Sequence, residues 1–100
     1  MGKLRLIIIT EVNGFIGNLP ENDQIKIKGK LTALKNRDFD SIYIKWLTKK
    51  LRGLKVNKYR LIFFIHQNII YIVRIFIKKT QKTPRKEIEM AKKYYKFFIN

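Results

Sequence analysis

The chain has 100 residues, enough for one domain with a modest core and too few for two. Apolar residues make up 46%, more than a disordered chain carries, and cysteine is absent, which excludes disulfides and thiolate metal sites. Lys and Arg number 23 against 7 Asp and Glu, a net charge of +16 that draws in polyanions: nucleic acid first, with an anionic membrane or an acidic protein as rivals.

In chain order, residues 4–10 (LRLIIIT) are nearly continuously apolar and predict a strand covered on both faces. Gly14 and Gly17 weaken any helix over residues 11–19. Pro20 suits the first turn of a helix running to about Asn36. Its spacing turns Ile25, Leu31 and Leu34 inward and leaves Lys26, Lys28, Lys30 and Lys35 in solvent, with Gly29 a weak point between. Residues 38–41 read as a turn, and residues 42–47 as either a strand or a short helix.

The second half is more regular. Residues 50–54 predict a strand and Lys55-Val56-Asn57 a turn. Residues 58–66 and 69–78 are two strands joined at Gln67-Asn68, a hairpin signal. Thr83 suits an N-cap and Pro84 the first helical position; Glu87 and Glu89 then lie where the helix dipole favours anions. Ile88, Ala91, Tyr95 and Phe98 recur at helical spacing and predict the sheet-facing side. The expected fold is one α+β domain over residues 1–100, of order β-α-α-β-β-β-α, with a mainly antiparallel sheet and helices packed against it.

Residues 60–77 are apolar over nearly a membrane-spanning length, but His66, Gln67, Asn68 and Arg74 interrupt them, so no membrane partner is expected. The opening five residues lack the apolar stretch and cleavage site of a secretory signal, and a cytoplasmic location is expected. His66 is the single histidine and has few carboxylates near it in sequence, so neither a metal site nor a cofactor is expected.

The charge is clustered. Residues 78–86 (KKTQKTPRK) run from the last strand into the last helix, where flanking Lys and Arg and the free N–H groups of a helix start suit phosphate. A two-residue turn at Gln67-Asn68 sets Arg60 opposite Ile75, on a face that alternates onward to Lys79. A three-residue loop around Val56 then sets Arg52 opposite Arg60, a like-charge pair that an anion between them would explain; a two-residue loop sends Arg52 to the other face. Tyr59, Tyr71, Tyr94 and Tyr95 are interleaved and can stack on bases, although at such spacing core or rim positions are the commoner use. A solvated charge run, snorkelling strand-end cations and coding bias toward Lys and Ile are the plainer readings; the clustering argues against the last.

From about Trp46 to the C-terminus the chain resembles the RelE/HigB family of type II toxins, most closely its phage-derived HigB-like branch. The resemblance is carried by FIKKTQKTPRKEIEMA, residues 76–91, and by KYRLIFF, residues 58–64. NLPENDQIKIKGKL, residues 18–31, is similar to the family's first long helix. The resemblance implies a compact sheet with helices on one side. It also implies an mRNA endonuclease that inhibits translation, usually on the ribosome, and a cognate antitoxin, commonly a helix-turn-helix protein. Arg60 matches the arginine of the family's Tyr-Arg strand motif, and residues 78–84 match its strand-to-helix signature. Arg52 matches the arginine of an earlier Glu-Leu-Arg pattern; another register puts Lys55 there. Lys50 stands in place of that pattern's acid, and Arg74 where relatives carry a His or a small residue.

On this reading the catalytic candidates are Arg60, Lys79 and Arg52, and Arg74, Lys78, Gln81, Lys82 and Arg85 bind RNA. Metal-free cleavage needs a base for the 2′-OH, charge stabilisation for the phosphorane and an acid for the leaving oxygen. No Asp or Glu lies between Asp40 and Glu87, and guanidinium groups stay protonated, so Lys79, or Tyr94 or Tyr95 if the last helix reaches the sheet face, is left for proton transfer. His66 falls at the hairpin tip, away from Arg60. The alternatives are a non-catalytic RNA- or ribosome-binding protein, an inactive toxin copy, a DNA-binding accessory protein and a membrane-active cationic toxin.

Overall fold

The structure is a computed structural model and describes residues 2–100. Its elements are β1 (Arg5–Ile8), α1 (Thr10–Gly17), α2 (Glu21–Lys35), a 3-10 turn (Phe39–Ser41), β2 (Tyr43–Trp46), β3 (Arg52–Val56), β4 (Tyr59–His66), β5 (Ile69–Ile77) and α3 (Arg85–Ile99). The five strands form one sheet in the order β1-β5-β4-β3-β2. β1 runs parallel to β5 and every other pair is antiparallel. The α+β class and the mainly antiparallel sheet are as the sequence predicts, with the ambiguous segment after the turn resolved as the edge strand β2.

Side-chain alternation divides the sheet into two faces. On one, Tyr59, Leu61, Phe63 and Leu54 are buried beneath α1 and α2. The Tyr59 ring meets Phe15 of α1 edge-on at 6.3 Å, and its hydroxyl donates to Asp23 Oδ2 of α2 at 2.6 Å. On the other, Phe64 and Tyr71 are covered by α3, whose Tyr95 and Phe98 rings lie 4.9 and 4.8 Å away. The helices therefore sandwich the sheet instead of sharing one side. Because α3 lies over the end of the sheet near the β4–β5 turn, the opposite end of that face stays open.

Local details reflect residue chemistry. Gln67 and Asn68 both have positive φ, 51° and 65°, the mirror-image turn whose twist matches a two-residue hairpin. The β3–β4 connection is shorter than expected: Val56 pairs with Tyr59, and Asn57, at φ 54°, makes the bend. In α2, Ile27, Leu31 and Leu34 are buried at spacings of four and three, whereas Ile25 is 60% exposed. Ile25 lies six residues before Leu31, about 240° around the helix, which is off the shared face. Pro20 and Pro84 occupy the cap positions of α2 and α3, one residue before the expected first helical place, and Thr83 makes no capping hydrogen bond.

The β4–β5 ladder is interrupted once. From His66↔Ile69 to Phe63↔Ile72 the hairpin keeps the register set by its turn; at Ile62 the partner becomes Arg74, and Val73 has no partner on β4. This bulge moves Arg60 from the expected Ile75 to Phe76.

No helix among the described residues is long and apolar enough to cross a membrane.

Candidate functional site

The open end of the sheet forms a cleft. Two cross-strand rows make its floor. The first runs Tyr43, Lys55, Arg60, Phe76 across β2, β3, β4 and β5, and the second runs Lys45, Gly53, Ile62 across β2, β3 and β4. The loop between β5 and α3 makes the wall with Lys78, Thr80, Gln81, Lys82 and Thr83. Lys78 is held there by its backbone N–H, which donates to Lys58 O at 2.8 Å and extends the β4–β5 pairing past the strand end. Thr80 Oγ1 donates to Lys82 O at 3.0 Å and folds the loop onto itself.

Five cations line this cleft, Lys45, Lys55, Arg60, Lys78 and Lys82, and no carboxylate or imidazole does. None of the five forms an ion pair among the described residues. Arg60 is braced from behind: its Nη1 donates to the carbonyls of Asn57 and Tyr59, both at 2.8 Å. One edge of the guanidinium is thereby fixed by main chain and the rest is offered to the cleft. Donors held in place before a charged ligand arrives lose less on binding it. Gly53 adds room, since a side chain there would stand in the cleft against Leu47, 3.5 Å from the place of its first carbon.

The residues chosen from sequence divide into three groups. Arg60, Lys78, Gln81 and Lys82 come together in the cleft. Lys79 and Arg85 are exposed on the same loop and at the start of α3, outside the cleft lining. Arg52 and Arg74 are elsewhere in role. Arg52 lies opposite Phe63, not Arg60, and its guanidinium stacks on Trp46 at 4.1 Å on the face away from the cleft. The shorter β3–β4 turn is the cause, and it puts Lys55 opposite Arg60 in its stead. Arg74 is engaged by carboxylates: Nε lies 2.6 Å from Glu87 Oε1 and Nη1 lies 3.4 Å from Glu11 Oε2. Partial burial works to lower its pKa, but the bond to Glu87 and the two charges raise it overall. Tyr94 joins this cluster by donating to Glu11 Oε1 at 2.8 Å, which raises its own pKa. That hydroxyl thus belongs to a strut between α3 and α1. Tyr95 packs on Phe64 beneath Lys50, whose Nζ is 4.8 Å from the ring. His66 is at the far end of β4, level with Ile69.

Sequence reading overlooked Tyr43, Lys45, Gly53 and Phe76. The first two lie on the segment whose helix-or-strand character was undecided. A strand reading alone would have put Tyr43 and Lys45 on one face, two residues apart.

The sequence matches, over residues 14–96, the family described as phage-derived protein Gp49-like (DUF891). No curated protein matches. Among solved structures, a chain of the RelB-RelE antitoxin-toxin complex from Methanococcus jannaschii is similar in fold at a TM-score of 0.61, with 14% identity over 92% of this chain and 98% of that one. The family match spans well over half of the sequence, including every element that builds the cleft, and the chain belongs to the phage-derived Gp49-like family.

Proposed function

We propose that the chain is the toxin of a type II toxin–antitoxin system, an endonuclease that cuts mRNA at the ribosome and so inhibits translation, and that a cognate antitoxin, commonly of helix-turn-helix type, silences it. The observation that carries this reading is the carboxylate-free cleft, with five cations converging on one open sheet face. The family membership supports it, as does a fold shared with a chain from an antitoxin-toxin complex.

The chemistry suited to such a cleft is attack by the RNA's own 2′-OH. The 2′ oxygen bonds to the adjacent phosphorus and the P–O5′ bond breaks. One proton leaves the 2′-OH and one reaches O5′, giving a 2′,3′-cyclic phosphate and a free 5′-OH. Arg60, Lys55 and Lys78 are placed to stabilise the extra negative charge of the phosphorane. Tyr43 and the lysines are the proton-exchanging side chains of the lining, and Lys79 on the same loop stays a candidate base. Gln81 and Lys82 hold neighbouring parts of the strand, with Arg85 at the loop's end.

The absence of an imidazole or carboxylate from the lining favours a second reading, in which the cleft binds RNA or the ribosome without cutting. Induction of the chain alone, with and without the neighbouring small open reading frame, combined with transcript mapping, tests both. Growth arrest with new 5′-OH ends supports the nuclease; arrest without cleavage supports the binder; normal growth at confirmed soluble expression overturns toxicity and favours an inactive copy.

A further inference from the structure

A second groove opens on the far side of edge strand β2. It lies between α2 and the segment leading into β2, and it shares Tyr43 and Lys55 with the cleft. The two hollows thus meet at the Tyr43–Lys55 pair, at the end of β2 nearest the β3–β4 turn. The outer part carries Lys26 and Lys30 of α2. Lys30 Nζ donates to Ser41 O at 3.0 Å, so the groove's two walls are tied together. Neither Lys26 nor Lys30 forms an ion pair among the described residues, although Asp40 lies in the same groove. At the crest stands Tyr43, 61% exposed, with Lys55 Nζ 5.6 Å from its ring.

Catalysis at one phosphate does not need this outer part. A large aromatic ring left in water between two sets of unpaired cations is the pattern of a single-strand track, where bases stack on rings while phosphates meet lysines. A duplex keeps its bases stacked inside and cannot use Tyr43 in this way. We propose that single-stranded RNA leaves the cleft over β2, stacks one base on Tyr43 and seats its next phosphates on Lys26 and Lys30. The proposal rests on the reading of the cleft as an RNA site and adds the path of the flanking strand.

The test uses non-cleavable 2′-O-methyl RNA, followed by fluorescence anisotropy, so it does not depend on nuclease activity. A dinucleotide reports the cleft alone and a longer single strand reports cleft plus groove. Lys26→Ala/Lys30→Ala is expected to weaken the long RNA on the order of tenfold and to lower its log–log salt slope by about 1.4, two single-strand phosphate contacts. Dinucleotide binding should not change. Lys28→Ala/Lys35→Ala removes the same charge from the same helix outside the groove and should leave both RNAs unaffected. Tyr43→Phe should retain long-RNA binding and Tyr43→Ala should lose it, while Asp40→Asn should tighten it. If the double variant unfolds, Lys26→Ala alone carries the test with half the slope change. Equal losses in the charge-matched control, or no gain in affinity with RNA length, overturn the track while leaving the cleft reading intact. Failure to bind either RNA overturns both. Loss of an acidic protein partner with unchanged RNA binding assigns the groove to that partner and also overturns the proposal.

Discussion

Lys55 and Arg60 face each other directly across β3 and β4, two positive charges side by side on an open sheet face. Such pairs destabilise a sheet by about 0.2–1 kcal/mol. Lys55→Gln should therefore raise the midpoint of urea unfolding and at the same time weaken RNA binding. A variant that gains stability and keeps full affinity would show that the pair is not there for an anion.

Arg60→Ala should lower single-turnover cleavage on the order of a hundredfold or more, and Arg60→Lys should recover only part of it. A guanidinium can hold a phosphate by two parallel hydrogen bonds while its other edge keeps Asn57 O and Tyr59 O; an ammonium cannot do both. Circular dichroism must show that the alanine variant is folded, because the turn loses its brace as well. Full cleavage by that folded variant would remove Arg60 from the active site.

Gly53→Ala separates stability from function in the other direction. The added methyl meets only ordinary van der Waals contact with Leu47, so the strand accepts it and should gain about 0.5–1 kcal/mol from the smaller entropy loss on folding. The same methyl occupies cleft space, and RNA affinity measured by anisotropy should fall.

Arg74 should behave as a structural residue. Arg74→Met leaves Glu87 and Glu11 without their cation and should cost about 2 kcal/mol in denaturant unfolding. The log–log salt slope of RNA binding should stay where it was, since a lost phosphate contact would lower it by about 0.7. A lowered slope in a folded Arg74→Met protein would return Arg74 to the RNA-binding set.

Alkaline pH should loosen the helix contacts. The Tyr59 hydroxyl bonded to Asp23 and the Tyr94 hydroxyl bonded to Glu11 both have raised pKa values, with that hydrogen bond the main cause in each case. A raised tyrosine pKa means that the folded state favours the protonated form. Its contribution is complete below the ordinary value of about 10 and is lost as pH climbs through the higher folded value. Lysine deprotonation acts oppositely, by relieving repulsion within a chain of net charge +16. The measurement is therefore the difference between wild type and Tyr59→Phe in thermal midpoint, which should shrink from pH 8 to pH 11.

What could be read beforehand was whatever depends on local spacing. The β4–β5 hairpin, the start of α3 and the sheet-facing Ala91, Tyr95 and Phe98 all come from turn chemistry or helical period. Arg60, Lys78, Gln81 and Lys82 could be grouped because they belong to two adjacent strands and the loop after them. Arg52 could not be placed, because one residue in the length of the β3–β4 turn decides the face of everything on β3. Nor could the role of Arg74, since Glu11 is distant in sequence and meets it only after α1 and α3 have packed. Sequence charge clustering counts cations without saying which are already neutralised.

The unpaired Val73 lets β5 carry one residue more than its partner strand without losing either face. A strand has a period of two, and an extra residue advances that period by half a cycle, so β5 is effectively written in two reading frames. Up to Ile72 one parity points toward α1 and α2; from Arg74 onward the other does. Only the change of frame keeps Ile75 in the interior and delivers Arg74 and Phe76 to the face of the cleft and α3. The bulge therefore absorbs one extra residue without exchanging the two faces of the strand. Val73→Ile adds a methylene to a fully buried site and should cost some stability, whereas deleting Val73 removes the bulge, lets Arg74 follow Ile72 directly with Arg74 and Ile75 on their present faces, and should still give a folded protein.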